Sequence, residues 1–384
     1  MVAAGKWDEL RRYLRQQPVM LALLAGLAVI FFLAVTGLSR TYHAQRDFLG
    51  DRWFTRGVAD LGAQHYDSAV MEFRSALLYS RDNYTYQLNL AEALIGLKRT
   101  SEASTYLVNL WDREPENGVV NLDLARIAVQ KGQTEQALRY YRNAIYATWP
   151  DGQEDKRRDA RRELIEFLLD TNARAQAESD LIALAENVDS DSPEQVRLGD
   201  LFVRTLDYER AYAAYRLSLR NDRHNRTALA GAGLAAFELG RYPEARTYLE
   251  SAVAADAGDT ASAARLKTAE LAVQMDPFQR QISMAQRNKI VVEAFATAGE
   301  RIKACGSPQR SESPAPPSSQ ATLAESWTKM KPRVTAQGLQ RDPDLVESAM
   351  ALVFEIERQT STTCGTPAGT DLALLLIAEL HERN

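Results

Sequence analysis

The sequence predicts an all-α chain made of one apolar N-terminal helix, about six helix-turn-helix units and a C-terminal helical segment. Three observations predict it. No charged residue stands between Arg15 and Arg40. The stretch YDSAVMEFRSAL at residues 66–77 returns as TEQALRYYRNAI, YERAYAAYRLSL and YPEARTYLESAV. After Asp276 the repeat stops, yet apolar residues keep a helical spacing.

Residues 1–18 form a short tail carrying Lys6, Arg11, Arg12 and Arg15. Residues 19–38, VMLALLAGLAVIFFLAVTGL, are long enough at about 1.5 Å per residue to cross a hydrocarbon layer of roughly 30 Å. Pro18 suits the first turn of that helix. A cleavable signal peptide is the rival reading, but its apolar region usually runs about 7–15 residues, and no clear A-x-A-like site follows here. Residues 39–49 read as a juxtamembrane linker. The short charged tail ahead of the anchor and the long domain behind it place Met1 inside, with the domain on the far side of a cytoplasmic (inner) membrane crossed once.

Three units of 34 residues begin at Gly50, Tyr84 and Gly118 and fill residues 50–151; three more begin at Arg158, Ser192 and Arg226 and fill 158–259. Residues 152–157 are an insertion that breaks the phase. The twentieth residue of every unit is Ala: Ala69, Ala103, Ala137, Ala177, Ala211 and Ala245. The eighth is small in Gly57, Ala91, Ala125, Gly199 and Gly233, with Ile165 the exception. Small residues facing one another across a helix pair let the two axes approach closely. Four residues beyond each Ala, Phe73, Leu107, Tyr141, Leu181, Tyr215 and Leu249 continue the same helical face. The run from Thr260 to Met275, within residues 260–277, reads as a capping helix.

This pattern resembles the tetratricopeptide repeat, a helix-turn-helix unit of 34 residues. Trp53, Gly57, Tyr66, Ala69, Phe73 and Ala76 match its motif in the first unit, and Pro115 matches the closing Pro of the second. The resemblance implies a right-handed superhelix whose concave surface is lined by the first helix of each unit, with positions five, nine and twelve toward a bound peptide. On this chain those positions are Phe54, Leu88, Leu122, Arg162, Val196 and Ala230; Val58, Glu92, Arg126, Glu166, Asp200 and Leu234; and Leu61, Ile95, Val129, Leu169, Val203 and Phe237. Apolar tracks would then flank a middle of mixed charge. Such a groove suits an amphipathic helix or an extended apolar segment better than an acidic tail, which would want a clamp of Lys, Arg and Asn. Two other readings stay open: the apolar positions pack the repeats, or the chain's own end segment fills the groove.

In residues 278–384, Val291, Phe295, Ala298 and Ile302 share one face, as do Leu345, Ala349, Leu352 and Ile356, and Leu372–Leu380 is almost wholly apolar. Residues 306–320, GSPQRSESPAPPSSQ, read as a disordered loop. The two cysteines, Cys305 and Cys364, are either unrelated thiols or, in an oxidising compartment, a disulfide.

No catalytic constellation stands out, so no enzyme, metal or cofactor is expected. His43, His65, His224 and His381 lack metal-ligand spacing, and GAGLAAFELG at residues 231–240 lacks the strand and third Gly of a dinucleotide loop. A net charge of -5 with scattered Lys and Arg gives no nucleic-acid footprint. The reading is a membrane-tethered scaffold that binds partner proteins. The alternative is an accessory or chaperone-like subunit of an envelope enzyme, secretion or cytochrome-maturation complex.

Overall fold

The computed structural model describes residues 3–149, 152–190, 193–305 and 318–383. It is all-α over these residues and divides into two units, residues 1–164 and 165–384. The first holds α1 (Ala3–Gly62), α2 (Tyr66–Tyr79), α3 (Tyr84–Gly96), α4 (Thr100–Arg113), α5 (Gly118–Gln130), α6 (Thr134–Tyr146) and the start of α7 (Glu154–Asp170). The second takes the rest of α7 and then α8 (Arg174–Ala185), α9 (Glu194–Thr205), α10 (Tyr208–Asn221), α11 (Arg226–Glu238), α12 (Tyr242–Ala255) and α13 (Thr260–Met275). It ends with α14 (Met284–Cys305), α15 (Ser318–Met330), α16 (Ala336–Arg341), α17 (Asp344–Cys364) and α18 (Thr370–Arg383).

Each hairpin turns the same way. The residue at position fifteen of every unit takes a left-handed backbone: Gln64, Lys98, Gly132, Asn172, Leu206 and Gly240, with φ from 60° to 73°. The next amide reaches five residues back, from His65 N to Asp60 O at 2.8 Å, from Arg99 N to Leu94 O at 2.8 Å and from Asp207 N to Phe202 O at 2.9 Å. These are the bonds that close a Schellman motif and satisfy the last helical carbonyls. The first helices α3, α5 and α11 also start alike. Asn83 accepts from Tyr86 N at 3.1 Å, Asn117 from Val120 N at 3.2 Å and Asn225 from Ala228 N at 3.0 Å, and Asp259 caps α13 through Ser262 N at 2.9 Å. Each side chain replaces a hydrogen bond that the first turn of a helix lacks.

All six position-twenty alanines are completely buried. Their small partners at position eight serve a different neighbour from the one expected. A Cβ on Gly57 would stand 2.6 Å from the Phe73 ring, on Gly199 2.6 Å from the Tyr215 ring and on Gly233 2.6 Å from Leu249. The small residue therefore receives the large one four places beyond the Ala, and the close helix approach is filled by that side chain.

Two sequence expectations change. Residues 39–49 are no separate linker, because α1 runs unbroken from Ala3 into the first helix of the first repeat. Of the expected loop, residues 306–317 lie outside the described residues, and residues 318–320 open α15. Trp327 holds α15 in place: its ring stacks on Phe295 at 5.6 Å and its indole N–H donates to Phe295 O at 2.8 Å. The end segment is a core of its own, built from α13 to α18 around Val291, Met350, Val353 and Leu374, and it reaches back to Tyr242 of the sixth repeat.

α1 is long and apolar enough to cross a membrane, and a helix in that position also meets the description of a signal sequence. Leu21, Phe31, Phe32 and Leu38 are exposed along it.

Candidate functional site

In the first unit, the faces of α3, α5 and α7 and the α1–α2 turn enclose a cleft of about 480 Å³. Leu61, Glu92, Ile95, Leu122 and Arg126, all groove residues by sequence, line it together. Tyr66, Trp149, Lys156 and Asp159 join them, with Asp123 at its floor. Trp149 is fixed by its indole N–H, which donates to Ala144 O at 2.8 Å, and by Gly118, where a Cβ would stand 2.3 Å from the ring. That glycine opens α5 and lets the aromatic wall close over the helix start.

Asp123 is only 4% exposed. Arg126 donates to its Oδ1 at 3.2 Å and holds Glu163 in a two-bond fork at 2.6 and 3.0 Å. The Tyr141 hydroxyl also donates to Glu163, at 3.4 Å. Asp123 Oδ2 has no hydrogen-bond partner among the described residues. Burial, with the Glu92 charge nearby, pushes the Asp123 carboxyl up to about 7 against the pull of Arg126 and Lys156. Burial raises Glu92 as well. Among the described residues, Glu92, Asp123, Asp159 and Glu163 thus stand against Arg126, Lys156 and Arg162, the last paired with Asp159 at 3.0 Å.

The other predicted groove residues divide. Val58 and Val129 are exposed, at 43% and 37%. Phe54 stacks on Tyr86 at 4.9 Å and touches Phe73 at 5.8 Å, and Leu88 packs on the same core, so these two serve mainly as packing residues. In the second unit Glu166 and Asp200 are exposed and Val196 and Val203 half-buried. Asp200 is already engaged, accepting from the Tyr215 hydroxyl at 2.7 Å. Phe237 leaves the groove: it meets Tyr242 edge-on at 5.6 Å within the C-terminal core, where the Tyr242 hydroxyl reaches Leu376 O at 3.5 Å. The end segment therefore covers the last position of the row.

Sequence reasoning missed Asp123, Lys156 and Glu163. Asp123 had a signal, as the one acidic residue inside the apolar run VVNLDLA at residues 119–125, where an ionisable side chain has to be buried. Lys156 and Glu163 had none, because residues 152–157 and the start of α7 read as a solvated charged stretch.

The tetratricopeptide repeat profile matches residues 120–148 and 196–260. With one turn geometry repeated at every hairpin, the chain carries tetratricopeptide repeats, the class of α-helical unit that serves as a protein-interaction scaffold. Similar solved structures include pilF of Pseudomonas aeruginosa, 17% identical over 56% of this chain and 95% of that one, TM-score 0.43. The C-terminal part of a repeat-containing protein from Cytophaga hutchinsonii is 11% identical over 80% of this chain and 97% of that one, TM-score 0.45. The TPR2AB domain of yeast Sti1 in complex with pHSP90 is 18% identical over 74% and 98%, TM-score 0.30. Comparison with curated proteins gives no match.

Proposed function

We propose that this chain is a membrane-tethered scaffold that captures partner proteins on the first-helix face of its repeats, principally in the cleft of residues 61–159. The observation behind the reading is the cleft itself. Apolar walls from Leu61, Ile95 and Trp149 stand beside the buried Asp123 carboxyl, one of whose oxygens has no hydrogen-bond partner among the described residues. An unpaired buried acceptor costs about 1–3 kcal/mol, a cost that a donor from a docked partner would relieve. α1 supplies the tether, anchoring the chain once in an inner membrane with Met1 inside, and the repeats work on the extracytoplasmic side.

Extraction of the full chain in mild detergent followed by co-purification tests this. One stoichiometric partner would assign it as the accessory subunit of a single envelope assembly, and a varying set would assign it as a general scaffold. Release from membranes by a salt wash alone, with nothing co-purifying, would sink the reading.

A further inference from the structure

We propose that the floor of the cleft is a subsite for a basic side chain, Lys or Arg, presented by a protein segment docked across α3, α5 and α7. This deepens the groove reading and rests on it. Three observations point to a cation. Asp123 lines the cleft and is nearly sealed from water, and its Oδ2 accepts no bond among the described residues. Arg126, the nearest donor, is committed to Glu163 through two of its nitrogens and spares Asp123 only a longer bond to Oδ1. Glu92 lies on the facing helix, close enough for its charge to act on Asp123. An ammonium or guanidinium entering between Glu92 and Asp123 would donate to the orphan oxygen, and charge-assisted bonds of this kind are the strong ones. The stem of a long basic side chain would lie along Leu61, Ile95 and Trp149.

Charge bookkeeping agrees. The titratable groups around the cleft are Tyr66 from α2, Glu92 from α3, Asp123 and Arg126 from α5, Tyr141 from α6, and Lys156, Asp159, Arg162 and Glu163 from α7, with Arg162 paired to Asp159 at 3.0 Å, so four carboxyl groups stand against three cations. With every carboxylate ionised the cavity is negative. An acidic ligand would meet that repulsion, whereas a cation relieves it. Because burial holds the Asp123 carboxyl up near 7, a bound cation also draws its proton off, so affinity for a basic segment rises with pH from 6 to 8. An acidic segment would show the opposite slope.

The probe is a display library of random twelve-residue peptides selected on the full chain in detergent micelles. The expected pool shares Lys or Arg at one fixed position beside apolar residues. A synthetic peptide from that pool should bind about tenfold or more weakly when its basic residue becomes norleucine, and again on Asp123→Asn. Glu92→Gln should weaken it too and serves if the Asp123 variant fails to fold. Lys156→Ala should tighten binding by removing a competing cation, whereas a site built for an acidic ligand would weaken. A pool without basic residues, or affinity unmoved by both carboxylate variants, would overturn the subsite and leave the groove reading standing. Failure of the native chain to select any peptide would overturn both.

Discussion

Two buried carboxyl groups carry the strongest residue-scale consequences. Glu357 on α17 is completely buried, and neither carboxyl oxygen has a hydrogen-bond partner among the described residues. Burial, aided by the Asp371 charge and opposed by Arg301, pushes it up to about 8. A carboxyl raised in the folded state binds a proton that the unfolded chain releases near 4.5. Its contribution is therefore present below that value and is lost as pH climbs through about 8. We expect Glu357→Gln to gain on the native chain by roughly 1–4 kcal/mol between pH 5 and 9. Urea titrations of both proteins at each pH measure it, and a constant difference would refute the assignment. In the first unit, Arg126→Glu should cost about 1–3 kcal/mol, because it removes the counter-charge of a sealed Asp123 and turns a like charge on Glu163. Exposed Glu166→Lys should change stability by about 0.5 kcal/mol or less. Equal effects would mean that the Arg126 fork carries no stability. At this scale sequence reading named Arg126 for the groove and missed its ion pairs, since the partners Asp123 and Glu163 sit at a repeat position it had not singled out.

At the scale of the helix and its turn, the repeat was legible because period and packing coincide: Ala69 and its echoes are buried for the reason their spacing suggested. The turn was not legible. Position fifteen needs a left-handed backbone, yet Gln64, Lys98 and Leu206 stand there beside Gly132 and Gly240, so no residue type announces it. Leu206 is 52% exposed and buys little by burial, while a non-glycine residue pays about 1 kcal/mol for this conformation. Leu206→Gly should raise stability by up to about 1 kcal/mol, and a lower thermal midpoint would contradict the turn assignment. Ala137→Leu, forcing a larger side chain into a sealed contact, should lose about 1–3 kcal/mol with helicity retained, as circular dichroism will report. α15 escaped notice because Leu323, Trp327 and Met330 give only a thin apolar stripe in a polar segment beside a Pro- and Ser-rich stretch. Its placement depends on the Trp327–Phe295 stack, a tertiary contact that local pattern does not encode.

For the whole molecule, the apolar N-terminal helix, the repeats and the end segment were each legible as helical blocks, but which surface the end segment covers was not. The contacts of Tyr242 with Leu376 and of Leu380 beside Gly240 join elements far apart in sequence. The same holds for Cys305 and Cys364, whose Cα atoms lie 5.7 Å apart at the ends of α14 and α17, a spacing suited to a disulfide. In an oxidising compartment we expect mass mapping without reductant to find them bonded; free thiols in protein taken from its native cells would argue against the proposed extracytoplasmic placement. The claim on which the functional reading turns is that partners dock on the first-helix face. A photo-crosslinking residue placed at Ile95, in the cleft, and separately at Leu78, exposed on a second helix, compares the two faces in intact membranes. Capture of a partner from position 95 with none from position 78 is the predicted result, and capture from position 78 alone would contradict it.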